Sequence, residues 1–231
     1  EICEILGILK GTTSGVDAEY LAKGTTRIQA VILSLRLADK EEEAYEFEGT
    51  DNFADANEVQ WAEGQKALAY VKAHPELGWV GSTSGKFFPY EAATPQMIYK
   101  VLLEVLGYKQ DVDFTWGETL EFAAQVGLVK VADVSKMTNN DMAIAIVEAL
   151  QTKVKDSEKT LIETLVEAGV ISAEKAAEVG LIAGELTISV AATGAKKLTV
   201  SFNRAVDPAK ATIAVKKGTV TVNTDKIEFA E

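Results

Sequence analysis

The apolar spacing of this chain changes period once, near Gly184, and that single change limits what it can fold into. Up to that point apolar residues recur at helical intervals. The stretches 27–38 (RIQAVILSLRLA), 96–107 (QMIYKVLLEVLG), 141–150 (DMAIAIVEAL) and 158–169 (EKTLIETLVEAG) are long and apolar enough for buried helices. Gly107 and Gly169 stand where such helices would stop, and Ser172 would cap a shorter helix over 172–182. Beyond Gly184 the period falls to two. The runs 186–191 (LTISVA), 197–202 (KLTVSF), 211–215 (ATIAV) and 219–223 (TVTVN) predict short antiparallel strands between Thr-Gly, Asp-Pro and Lys-Gly punctuation. Charge shifts at the same place. Residues 186–231 hold seven Lys/Arg and four Asp/Glu, a net of +3, so the preceding 185 residues carry −15.

This acidity narrows the function classes. A net charge of −12 argues against a general nucleic-acid surface, because phosphate binding wants a basic face. Cys3 is the one cysteine, which excludes an internal disulfide framework and an all-cysteine zinc site. His74 is the one histidine, read as a loop or helix-end residue, so no histidine cluster or Ser-His-Asp triad can be built around more than that residue. Asp51, Asp55 and Asn57 lack the spacing and glycine of a calcium loop, and Glu41-Glu42-Glu43 reads as a solvated helix end. No Walker or dinucleotide glycine loop is present. No metal, cofactor or catalytic residue is assigned. No 18-residue apolar run spans a membrane and no signal peptide is visible. Ile2 to Leu9 already has helical spacing, so a mature protein or a fragment with residues before Glu1 is expected.

An internal repeat organises the helical part. Thr26-Arg27-Ile28-Gln29, Thr94-Pro95-Gln96-Met97 and Thr138-Asn139-Asn140-Asp141 each place a threonine ahead of a buried helix, as an N-cap. Gln29 completes a capping box with Thr26, and Pro95 suits a first helical position. Upstream of each lies a glycine turn: Gly7-Ile8-Leu9-Lys10-Gly11, Gly78-Trp79-Val80-Gly81 and Gly127-Leu128-Val129. Phe53-Ala54-Asp55 and Trp61-Ala62 precede the second turn, Phe114-Thr115-Trp116 the third, and Phe87-Phe88-Pro89 lies between Gly81 and Thr94.

The middle copy, from Phe53-Ala54-Asp55 through Trp61-Ala62, Gly78-Trp79-Val80-Gly81 and Phe87-Phe88-Pro89 to Thr94, resembles an S-layer homology repeat. Thr26-Arg27-Ile28-Gln29 is similar to that family's Thr-Arg-Ala-Glu motif. The resemblance covers residues 1–171: an incomplete first copy over 1–46, a second over 47–109 and a degenerate third over 110–171. A connecting helix and linker follow over 172–185. The tail at 186–231, with Ser201-Phe202-Asn203-Arg204-Ala205-Val206-Asp207, resembles the start of the immunoglobulin-like domains of bacterial surface-layer proteins. A complete sandwich of that kind takes about 100 residues. A further copy of the repeat before Glu1 and a completed sandwich after Glu231 are expected.

The implied fold is mainly α, a pseudo-threefold bundle of repeats with grooves between neighbours, followed by a partial all-β sandwich. The implied function is non-covalent attachment, outside the cell, to an anionic secondary cell-wall polysaccharide or peptidoglycan-linked polymer, often pyruvylated. Partner copies in a lattice are expected, and neither nucleic acid nor membrane insertion. A self-assembling layer or filament subunit, with the bundle as a packing platform, is the second reading, and a wall-glycan enzyme the third. Arg27, at the positive end of its helix, would grip an anionic sugar. Gln29, Asp55, Trp61, Trp79 and Lys86 complete the candidate carbohydrate site, with Lys10 as added charge. The second and third copies carry Pro95 and Asn139 where the family places arginine, so at most one groove keeps its cation.

Overall fold

The computed structural model describes residues 1–12, 15–184, 186–194, 197–202, 206–207, 209, 212, 214–217 and 219–222. It divides into two compact units, Glu1–Gly184 and Glu185–Glu231. Among the described residues the first unit is helical: α1 (Ile2–Ile5), α2 (Ala18–Ala22), α3 (Arg27–Leu37), α4 (Glu41–Glu46), α5 (Ala62–Ala73), α6 (Pro95–Val105), α7 (Thr119–Val126), α8 (Asn139–Leu150), α9 (Leu161–Glu167) and α10 (Ala173–Glu178). The mainly helical class and the β character of the tail are as the periodicity predicts. Two helices, α2 and α4, were not expected. The Glu41-Glu42-Glu43 run opens α4, where carboxylates suit the positive end of the helix.

Three of the threonine-capped helices, α3, α6 and α8, form the centre. In α3 nearly every residue is buried, from Arg27 to Leu37, so this helix is surrounded on all sides. In α8 the buried apolar residues Met142, Ala145, Ile146, Ala149 and Leu150 make one stripe at helical spacing. Helix α6 packs on α3 and on α8, while α1 and α2 pack on α8. Thr26, Thr94 and Thr138 each accept the backbone N–H three residues on, from Gln29, Met97 and Asp141. Reciprocal capping boxes close at Thr26 with Gln29 and at Thr138 with Asp141.

Glycine sets the turns between paired helices. Gly78 sits at φ +87° against Glu104, and any side chain there would run into the Glu104 carboxylate as well as straining the backbone. Gly127 ends α7 at φ +104°.

In the second unit, β1 (Ile188–Gly194) pairs antiparallel with β2 (Lys197–Phe202), and β3 (Val215–Lys217) with β4 (Val220–Val222). The β1–β2 register sets Ile188 opposite Phe202, Val190 opposite Val200 and Ala192 opposite Leu198, with Ser189 opposite Ser201 on the other face. One face is thus apolar and one polar, as period two requires. The third strand begins later than the expected 211–215. Positions 211, 213 and 223, and Asn203–Ala205 of the motif at 201–207, lie outside the described residues.

Candidate functional site

The three capping threonines are extended at the backbone, with ψ between 156° and 168°, so their segments offer N–H and C=O groups sideways as a strand does. The chain at 23–27 uses both sides. Thr25 N–H donates to the Met137 carbonyl at 2.9 Å and Asn139 N–H to the Lys23 carbonyl at 2.8 Å. On the other side Ala93 N–H donates to the Thr25 carbonyl and Arg27 N–H to the Glu91 carbonyl, each at 2.9 Å. The starts of α3, α6 and α8 therefore meet, with the first copy's segment between the other two.

Side chains of the first helical turn complete a ring. Arg27 Nε donates to the Phe87 carbonyl at 2.8 Å, first copy to second. Gln96 Nε2 donates to the Trp116 carbonyl at 2.6 Å, second to third. Asn139 Nδ2 donates to the Tyr20 carbonyl at 2.9 Å, third to first, while Thr25 Oγ1 donates to Asn139 Oδ1 at 2.9 Å. Pro95 opens α6 directly after its capping threonine, and the next residue, Gln96, makes the bond.

Arg27 is only 9% exposed. Its guanidinium carbon lies 4.5 Å from the centre of the Phe87 ring and 6.0 Å from that of Trp79. Nη1 lies 3.1 Å from Met97 Sδ. Burial lowers the pKa of the guanidinium while Glu91 and Asp55 oppose that shift, and an arginine so placed stays charged. Arg27, read from the sequence as the cation of a carbohydrate site, is buried against these rings. The aromatic floor of the second copy and a backbone carbonyl desolvate and satisfy Arg27 inside the joint.

Three other candidates are engaged in internal contacts, and of these Trp79 reaches across the joint. Asp55, buried, accepts from Phe87 N–H and Phe88 N–H at 2.8 Å each. Burial alone would raise its carboxyl pKa, but the backbone donors at Phe87 and Phe88 hold it below the usual range. Trp79, also buried, donates from Nε1 to Ser34 Oγ at 2.8 Å. Gln29 spends its Oε1 on Thr26 N–H at 2.9 Å. Trp61, 39% exposed at the start of α5, and Lys86, exposed beside Phe87, face solvent. Lys10 is paired with Glu41 at 2.7 Å.

A second repeated contact escaped sequence reading. The residues ten positions after the three capping threonines are Arg36, Glu104 and Glu148. Each meets the glycine turn of its own copy. Arg36 Nη1 donates to the Ile8 carbonyl at 2.9 Å. Glu104 holds Lys100, which donates to the Gly78 carbonyl at 2.7 Å. Glu148 accepts Val129 N–H at 3.0 Å and Lys130 N–H at 3.1 Å, with Tyr99 Oη donating to its other oxygen at 2.8 Å. Opposite charges do the same task because a turn offers carbonyls as well as N–H groups. The constant offset was the available signal, but the change of charge hid it.

Among the described residues no group of His, Cys, Asp and Glu is arranged to hold a metal ion. Cys3 is buried, and burial pushes its thiol up to about 11. His74 lies at the end of α5 beside Glu76.

Residues 82–170, well under half of the chain, match the family model described as X-Prolyl dipeptidyl aminopeptidase PepX, N-terminal. No curated protein and no solved structure matches this chain.

Proposed function

We propose that the chain is a non-enzymatic structural module of a bacterial surface-layer protein, located outside the cell at the wall. In this reading the helical unit is an S-layer-homology-type bundle of three pseudo-threefold copies, and the tail is the first part of an immunoglobulin-like β domain. The bundle serves as a packing platform. One observation carries this: Arg27, the cation that would grip an anionic polymer, is buried, with Nε on the Phe87 carbonyl, Nη1 beside Met97 Sδ and Nη2 3.5 Å from the Val80 carbonyl. Trp79 supports the reading in the same way, since its indole N–H bonds Ser34 across that joint, while Asp55 is spent on Phe87 N–H and Phe88 N–H beside it.

Attachment to the anionic secondary polymer is the second reading. It is favoured by the exposure of Trp61 and Lys86, an indole and a cation left facing solvent. Retention on purified wall sacculi, before and after removal of the secondary polymer, separates the two. The platform reading expects unchanged retention on stripping, and ordered sheets or fibres of purified protein without wall material. Retention lost on stripping, and lost again in Trp61→Ala, would overturn it in favour of attachment.

A further inference from the structure

An open groove of about 540 Å³ lies at the far ends of α6, α7 and α8, away from the capped helix starts. Its floor is apolar. Tyr108 meets Phe122 edge-on with ring centres 5.2 Å apart, and Phe122 stacks on the buried Phe114 at 5.3 Å. Val126, the last residue of α7, extends that floor. The rim is polar: Gln125, Gln151, Thr152 and Lys153, the lysine paired with Glu158. Among the described residues neither glutamine amide makes a side-chain hydrogen bond, so both present donors and acceptors to the groove.

The electrostatics select against anions. Tyr108 follows the end of α6, Val126 ends α7 and Gln151 caps α8, so three negative helix ends converge here. The nearby lysines do not offset this. Lys153 on the rim is paired with Glu158, and Lys155 behind Tyr108 is paired with Asp113 at 2.6 Å. An apolar aromatic floor with amide groups at its edge fits a ligand that has a flat apolar face and a rim of hydroxyls. Donors on such a ligand meet the negative helix ends favourably.

We infer that this groove binds a neutral oligosaccharide. The site shares no residue with the Arg27 joint, so the inference stands whether or not the platform reading does. The volume is within the range of small-ligand sites, roughly 300–1,000 Å³.

The test is NMR titration of the purified chain with four soluble probes: the trimer of N-acetylglucosamine, cellotriose, maltotriose and the anionic trigalacturonate. At least one neutral trimer is expected to move the side-chain amide signals of Gln125 and Gln151, and trigalacturonate to leave them in place. The Gln125→Ala/Gln151→Ala variant, which alters exposed side chains only, is expected to lose on the order of ten-fold in affinity with its melting temperature kept. No movement of these amides with any neutral trimer would overturn the inference. So would binding that maps elsewhere, binding of trigalacturonate as tight as that of the neutral trimers, or unchanged affinity in the double variant.

Discussion

Arg27 donates to the Phe87 carbonyl at 2.8 Å while its guanidinium rests 4.5 Å from the centre of the Phe87 ring. One residue of the second copy thus holds the first-turn residue of the first copy through both its backbone and its side chain.

Removing that contact should loosen the fold before it changes any binding. Arg27→Ala is expected to cost about 2–4 kcal/mol, from a buried charged hydrogen bond and the ring contact together. Gln96→Ala breaks the matching bond of the ring at an exposed site and should cost under about 1 kcal/mol. Urea unfolding of the two variants checks the order. Equal losses would mean that Arg27 is not the buried brace described.

Asp55 should give the helical unit an acid-sensitive component. Its folded pKa lies below the unfolded value of about 3.9. The stability it contributes is therefore present above that value and is lost as pH falls through the folded pKa. Asp55→Asn is expected to be destabilised at pH 7 by about 1–3 kcal/mol, because a neutral amide oxygen replaces the carboxylate toward two backbone donors. The gap from the parent chain should narrow in denaturation curves taken below about pH 4.

Glu148 anchors the third glycine turn, so its loss should be felt locally. Glu148→Ala leaves Val129 N–H, Lys130 N–H and the Tyr99 hydroxyl without their acceptor. A loss of about 2–4 kcal/mol is expected. Hydrogen exchange should quicken first at Val129 and Lys130, ahead of α3.

Gly127 isolates the cost of left-handed backbone. A Cβ built there meets nothing within 4 Å, yet φ is +104°. Gly127→Ala is expected to lower stability by about 1 kcal/mol through backbone strain alone. At Gly78 the same change also collides with the Glu104 carboxylate and should cost more, as paired thermal melts would register.

Much of the local architecture was legible in the residues. The threonines at 26, 94 and 138 cap helices because a hydroxyl followed by an apolar run has few better uses. The glycine turns and the switch to period two near Gly184 follow from equally local chemistry. Helices α2 and α4 were not legible. They are short, and packing holds them: Tyr20 and Leu21 lie against the core, and the buried Ala44 anchors α4 beside α5.

The candidate site divides along the same line. Sequence placed Arg27 just after its cap, and that position is where the structure has it. Its direction was decided by Phe87, 60 residues away, whose ring and carbonyl offer the long side chain a desolvated partner. A cap fixes where a side chain begins, through bonds between neighbours. Where a flexible, charged side chain ends depends on which distant groups can satisfy it, and only the assembled copies determine that.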